Sequence, residues 1–447
     1  MMEQENKILT GTIWKQILIF FFPILLGTFF QQLYNTVDAI IVGRFAGKLA
    51  LSSVGGSSAI IINLVVGFFS GLSAGCTVMI SQYFGAKKAE ELQKGLHTTY
   101  AFGIVGGLFF GLIGVLFAPN LLHLMHTPEE LMEQSTLYVR IYFAGLVFVF
   151  LYNMGSAILR AIGDSKRPLY FLIVCTFVNI ILDLVFVLIF QLGVLGVALA
   201  TLIAQAVSTI LITECLMRRT KGLTLSLKDI RIHPQILKNM LKIGVPSAVQ
   251  SSTYSISNMF IQSAINLFGV NTMAAWTAYG KLDVLFWMIN GSFGIAATTF
   301  VGQNLGAGNF DRVKKGTRTV LYMAMAAAIG MSVMMCTIGR YLLYLFTTDA
   351  NVLEIGAHMM MVISPTYVLF TFIEIFSASL RAQGDTLIPT IINITGICAL
   401  RAIWIYTLTP LGSLDAILYC YPVSWFICAV AITIYYLYRR NRMGKAA

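Results

Sequence analysis

The chain has 447 residues, 57% of them hydrophobic and only 11% charged, and its mean hydropathy is +0.80. A soluble domain carries roughly 25% charged residues, and a water-soluble protein of this length cannot hide so much apolar surface, because surface falls too slowly with size. The composition excludes a nucleic-acid-binding protein, a secreted disulfide scaffold and a soluble enzyme, and it describes an integral membrane protein. The net charge of +11 then becomes a question of where the basic residues lie.

A crossing helix needs about 20 apolar residues, and the apolar runs predict twelve of them. The first, 13–42, is too long for a signal peptide and has no small-residue cleavage site, so it is expected to insert and remain. It carries Pro23, Tyr34 and Asp38. Spans at 53–81, 95–118 and 132–159 follow, the last with Tyr138 and Arg140. Span 168–190 holds Asn179 and Asp183, four residues apart and so on one helix face. Span 196–217 holds Thr201 and closes a six-span half, residues 1–217. A polar, basic linker, 218–241, leads to the second half, 242–438, with spans at 242–268, 276–302, 316–339, 352–380, 389–409 and 415–438. These carry Pro246, Tyr254, Lys281, Asp283, Glu374 and Arg401, and a basic tail, 439–447, ends the chain.

With both termini in the cytoplasm, 24 of the 30 basic residues fall on the inner side. Three fall outside (Arg44, Lys48, Arg340) and three deep within spans (Arg140, Lys281, Arg401), with Lys15, Lys242 and Arg318 counted as inner because they sit at the inner ends of their spans. This is the positive-inside bias, so the charge is a topology signal whose implied partner is anionic membrane lipid. The seven cysteines, at 76, 175, 215, 336, 398, 420 and 428, lie in apolar segments without paired or His-flanked spacing. They are expected to act as small apolar residues, with no metal or haem site.

The two halves repeat. Leu159-Arg160-Ala161-Ile162-Gly163-Asp164 returns as Leu380-Arg381-Ala382-Gln383-Gly384-Asp385, with Pro168 and Pro389 four residues beyond each copy. Gln82-Tyr83-Phe84-Gly85-Ala86 returns as Gln303-Asn304-Leu305-Gly306-Ala307, and both pairs are offset by 221 residues. Pro23 and Asn35 pair with Pro246 and Asn258 at an offset of 223. An even number of spans per repeat gives both halves the same orientation. The expectation is an all-α membrane protein of twelve helices in two six-helix lobes, related by a pseudo-twofold axis along the membrane normal, as alternating-access transporters are built. Within the repeated turns, Gly163 and Gly384 stop one helix and the prolines start the next, and Asp164 and Asp385 are expected to be turn and cap residues.

A carboxylate in hydrocarbon costs roughly 2.5–3.5 kcal/mol on insertion scales, so each one inside a span is a functional candidate. Helix 5 enters from inside at Pro168, which puts Asp183 about 22 Å along it at 1.5 Å per residue. Asp38, near the outer end of helix 1, and Thr201, just inside helix 6, come to a similar depth. Asp38, Asn179, Asp183 and Thr201 are expected to form a hard-cation or proton site: oxygen ligands suit Na+, and neighbouring carboxyls can share a proton. The repeat offsets map these acids onto Ile261 and Trp404, so the cluster belongs to one lobe alone. Glu374 either meets a cationic substrate or pairs with a base such as Arg401. Lys281 and Asp283, two apart, face different ways. Pro23 is a candidate hinge, and Tyr34, Tyr138 and Tyr254, with Asp283 and Glu374, are candidate substrate-cleft residues.

On the duplicated twelve-helix layout, Gln303-Asn304-Leu305-Gly306-Ala307-Gly308, the two Leu-Arg-Ala-x-Gly-Asp turns and Pro23 with Asp38, the chain resembles the multidrug and toxic compound extrusion (MATE) family, in particular its bacterial multidrug-export branch. An Asp on helix 1, an Asn and Asp on helix 5 and a Thr on helix 6 match Asp38, Asn179, Asp183 and Thr201. The resemblance implies export of small-molecule drugs, chiefly lipophilic organic cations, by antiport with H+ or Na+, without a cofactor. It also implies a multi-pass monomer in the bacterial plasma (inner) membrane, with a bend in helix 1 as the coupling step. Another branch carries a carboxylate pair on helices 7 and 10, and helix 7 here has no acidic residue. The alternative within transport is a lipid-linked oligosaccharide flippase, whose cavity needs more Arg and Lys than the three deep within these spans. A membrane-embedded enzyme is the alternative from another class, but the five histidines lie near helix ends or in loops and no nucleophile, base or metal set is present.

Overall fold

The computed structural model describes residues 6–218, 220, 223–408 and 413–442. Linker residues 219, 221 and 222, position 409 of the eleventh expected span, and Lys445 in the tail lie outside the described residues. The described chain is nearly all helical, with no strand among these residues. Among the described residues, ten helices are long and apolar enough to cross a membrane: α1 Ile13–Gly55, α2 Ser57–Gly85, α3 Ala89–Leu124, α5 Lys166–Ile189, α6 Gly193–Arg218, α8 Val270–Gly306, α9 Phe310–Leu343, α10 Ala350–Ala382, α11 Leu387–Thr407 and α12 Leu414–Arg442. An eleventh, α4, is the pair Glu129–Ala144 and Leu146–Ala161, bent by 46° at Gly145. The twelfth, α7 (Pro234–Asn266), is less apolar than the others, because Gln250, Ser251, Ser252, Thr253, Ser255 and Ser257 crowd its middle. Each half therefore supplies six long helices.

Packing within the first half depends on small residues. On α3, Gly107, Gly111 and Gly114 form one stripe against α4. A Cβ on Gly107 would sit 2.6 Å from the Val147 Cα, and one on Gly111 would sit 2.8 Å from the Phe143 carbonyl oxygen. The opposite stripe, Leu108, Phe109, Leu112 and Leu116, stays more than half exposed. Glycine inside and large apolar residues outside is the pattern of a helix that meets lipid on one side and another backbone on the other.

The repeated turns fold alike. Asp164 N–H donates to the Leu159 carbonyl (2.9 Å) and Asp385 N–H to the Leu380 carbonyl (3.0 Å), with Gly163 and Gly384 at φ 96° and 84°. This is the helix stop that glycine permits by its left-handed backbone. Beyond it the copies diverge. Asp164 accepts from the backbone N–H groups of Lys166 and Arg167, as a cap should. Asp385 instead accepts from the Tyr435 hydroxyl (2.6 Å) and pairs with Arg439 on α12 (2.9 Å).

Two compact units emerge, one built on Phe22–Ala248 and the other on Asn6–Phe21 together with Val249 onward. The changeovers fall inside α1 and α7, next to Pro23 and Pro246. In the second unit the N-terminal segment is clamped by Arg312, which donates to the carbonyls of Ile8 (2.9 Å) and Gly11 (2.7 Å). Asn6 adds a hydrogen bond to Gln303 (2.9 Å), and Phe21 stacks on Phe293 at 4.0 Å. In the first unit the residues before α7 bind the start of α3: Ser226 N–H donates to His97 Nε2 (3.1 Å), and His233 meets Thr98 (3.0 Å). The first part of α7 then lies backbone to backbone on α2, where a Cβ on Gly71 would come within 2.4 Å of the Ala248 Cα.

Candidate functional site

The first unit brings Asp38, Asn179, Asp183 and Thr201 into its interior, with 7%, 1%, 0% and 5% of their surface exposed. α1 is helical from Ile13 through Ile41, running through Pro23 without a break, and then opens into wide π-type turns at Val42–Ala46. α5 loosens in the same way at Val185–Ile189, directly after Asp183. Each acid thus sits in the last α-helical turns before a widened segment. Their carboxyls are neighbours. Six buried atoms have no hydrogen-bond partner among the described residues: Asp38 Oδ1, both Asp183 oxygens, both Asn179 amide atoms and Thr201 Oγ1. Buried polar groups are ordinarily paired, so this concentration of orphans is unlike the rest of the unit.

Tyrosines line the same place. Tyr138 lies close to both Asp38 and Asp183 and shares a small pocket with Thr201, Tyr142 and Gln205. Tyr34, one turn before Asp38, lies close to Tyr138 and Tyr142. Tyr142 was not anticipated from the sequence, although its i, i+4 spacing from Tyr138 was a legible signal. An apolar cluster of Ile41, Val42, Ala50, Val187, Val194 and Val197 packs around Tyr138.

The second unit holds a different arrangement. Asp283 on α8 accepts from the hydroxyls of Tyr279 (3.1 Å) and Tyr367 and from Trp287 Nε1 (2.6 Å). Tyr279, Asp283 and Trp287 recur every four residues, on one face of α8. Tyr367 comes from α10 and stacks on Phe286 at 3.9 Å. Lys281 is exposed and points elsewhere, as its spacing predicts. Tyr254 lies edge-on to Phe370 (6.2 Å) and accepts from Gln250 (3.2 Å).

Glu374 does not pair with Arg401. Its nearest base is Arg381 on its own helix, 3.8 Å away, because two helical turns bring residues seven apart onto one face. Arg401 is buried and taken up by α12: Nε donates to Ser424 (3.0 Å), and the guanidinium lies over Tyr421 (4.2 Å) and Trp425 (5.7 Å). Aromatic faces replace the carboxylate partner.

The MatE family model matches the chain twice, over residues 23–185 and 246–407. The chain is a member of the MATE family of membrane transporters. The two matches begin 223 residues apart, the offset that relates Pro23 to Pro246. The chain is 31% identical over 435 residues to the probable multidrug resistance protein YoeA of Bacillus subtilis, covering 95% of this chain and 94% of that one. It is 23% identical to the multidrug export protein MepA of Staphylococcus saprophyticus, covering 98% and 96%. A solved MOP-superfamily transporter from Pyrococcus furiosus has the same fold, with a TM-score of 0.91 at 22% identity and 98% of each chain covered. The fold class expected from the sequence stands, as do the family and its link to multidrug export.

Proposed function

We propose that this MATE transporter exports lipophilic organic cations by antiport with H+ or Na+, and that Asp38, Asn179, Asp183 and Thr201 bind the coupling ion. The observation that carries the reading is the set of six unpartnered buried atoms around two adjacent carboxyls, with no basic side chain paired to them among the described residues. Such a group is costly in a membrane unless a proton or cation occupies it for part of the cycle. An amide and a hydroxyl beside two carboxyls supply oxygen ligands for Na+ and serve equally for a proton.

Coupling requires the site to take its ion on one side and release it on the other. A bend of α1 at Pro23 is the proposed step, supported by the change of compact unit between Phe21 and Phe22. The basic bias supports a plasma-membrane protein with both termini and the linker in the cytoplasm. Tyr34 and Tyr138 serve as cleft walls near the ion, and Tyr254, Asp283 and Glu374 as cleft residues of the second half.

The test is purified protein in proteoliposomes, with a proton gradient and a sodium gradient imposed separately and ethidium movement followed by fluorescence. Uptake or release that tracks one gradient identifies the ion. Ethidium movement indifferent to both gradients would reject the antiport reading.

A further inference from the structure

We propose that Asp283, with Trp287 beside it, is a recognition site for the positively charged group of an exported compound, distinct from the ion-binding acids of the first unit. The proposal rests on the cation-export reading above and assigns a residue to it.

Asp283 is the centre of an aromatic cluster. The rings of Phe286, Tyr367, Phe370 and Trp425 pack against one another and against Trp287, with Trp287 to Phe370 at 4.6 Å and Trp287 to Trp425 at 6.3 Å. Into this cluster Tyr279, Tyr367 and Trp287 direct three neutral donors at one carboxylate. Neutral donors stabilise the charge of a carboxylate without cancelling it. No basic side chain pairs with Asp283 among the described residues. Arg401, the cation attached to the same cluster, is stacked on Tyr421 and Trp425 and donates to Ser424.

Two further features identify the ligand. A carboxylate has about four acceptor sites, and the three donors use two on Oδ1 and one on Oδ2. The open site is therefore on Oδ2, the oxygen held by Trp287. Asp283 itself is partly exposed, and Trp287, at 37% exposed, is the open edge of an otherwise buried cluster. A small metal ion needs several oxygen ligands, whereas the open edge of this cluster offers ring carbon. An organic cation, whose charge is satisfied by one carboxylate and by aromatic faces, is the ligand that fits. Tyr279 and Tyr367 are positioning residues that hold the carboxylate toward Trp287.

The test compares methyltriphenylphosphonium with neutral triphenylphosphine oxide, which have similar shape and differ in charge, for binding to the full-length protein in lipid nanodiscs. Wild-type protein is expected to prefer the cation at least tenfold. Asp283→Asn should lose that preference while its affinity for the neutral compound is unchanged, and Asp283→Glu should restore part of it. Tyr367→Phe should reduce the preference several-fold. An Asp283→Asn protein that keeps the wild-type preference, or that weakens both compounds equally, would overturn the site. Wild-type protein that does not distinguish the two compounds would overturn cation recognition itself, and the site with it.

Discussion

Replacing Asp183 by Asn removes one charge at a position with none of its surface exposed and with both carboxyl oxygens unpartnered. The amide is nearly isosteric and cheaper to bury than a carboxylate, so folding is expected to survive and coupling to fail. The size of the failure follows from the number of carboxyls. Exchange of one monovalent ion for one monovalent drug cation moves no net charge, so the drug gradient can at most equal the ion gradient. If each carboxyl carries one ion, a net charge moves inward. At 100 mV that adds about 2.3 kcal/mol, or roughly 45-fold in the drug ratio at 1.4 kcal/mol per tenfold. Steady-state ethidium ratios in proteoliposomes, with the ion gradient fixed and the potential clamped at zero or 100 mV, measure both numbers. Asp183→Asn and Asp38→Asn are expected to bring the ratio down to that of protein-free vesicles. Asn179→Ala and Thr201→Ala, which each remove a neutral ligand, should lower it partially. A wild-type ratio in either Asp→Asn protein would refute coupling through this pair.

Gly107→Val forces a side chain into the Val147 backbone, 2.6 Å from the ideal Cβ. It is expected to destabilise the protein by about 1–3 kcal/mol through overpacking, read as a lower thermal unfolding midpoint of the purified protein, whereas Gly67→Ala, where a Cβ meets nothing within 4 Å, should leave the midpoint unchanged. A single cysteine at Ser226, in a background without native cysteines, should resist an impermeant thiol reagent applied to intact cells and react once the cells are broken. Labelling from outside would invert the topology. Partial burial and the nearby Arg231, Lys94 and His97 hold His233 below its ordinary pKa. The folded state thus favours the neutral ring. That contribution is complete above the unfolded pKa of about 6.5 and is lost as pH falls through the lower folded value. His233→Gln should flatten the decline in thermal stability between neutral pH and pH 5, and an unchanged decline would count against this source.

Features that depend on composition and local spacing were legible in the sequence. Long apolar runs are enough to predict a membrane protein, because lipid demands about 20 apolar residues per crossing whatever surrounds them. The repeated Leu-Arg-Ala-x-Gly-Asp turns were readable because a helix stop is made by neighbours in the chain. The i, i+4 pairs Asn179 with Asp183 and Asp283 with Trp287 follow from the helical period alone. Tertiary structure decided what depends on how each helix is rotated and which neighbour it meets. It turned Arg401 onto Tyr421 and Trp425 rather than toward Glu374, and it brought Tyr367 from another helix to Asp283. It also assigned the first turns of α1 to the second unit and those of α7 to the first. Contacts of this kind depend on crossing angles and close backbone approaches, which glycines such as Gly71 and Gly107 permit, but whose partners, Ala248 and Val147, no local pattern in the chain specifies.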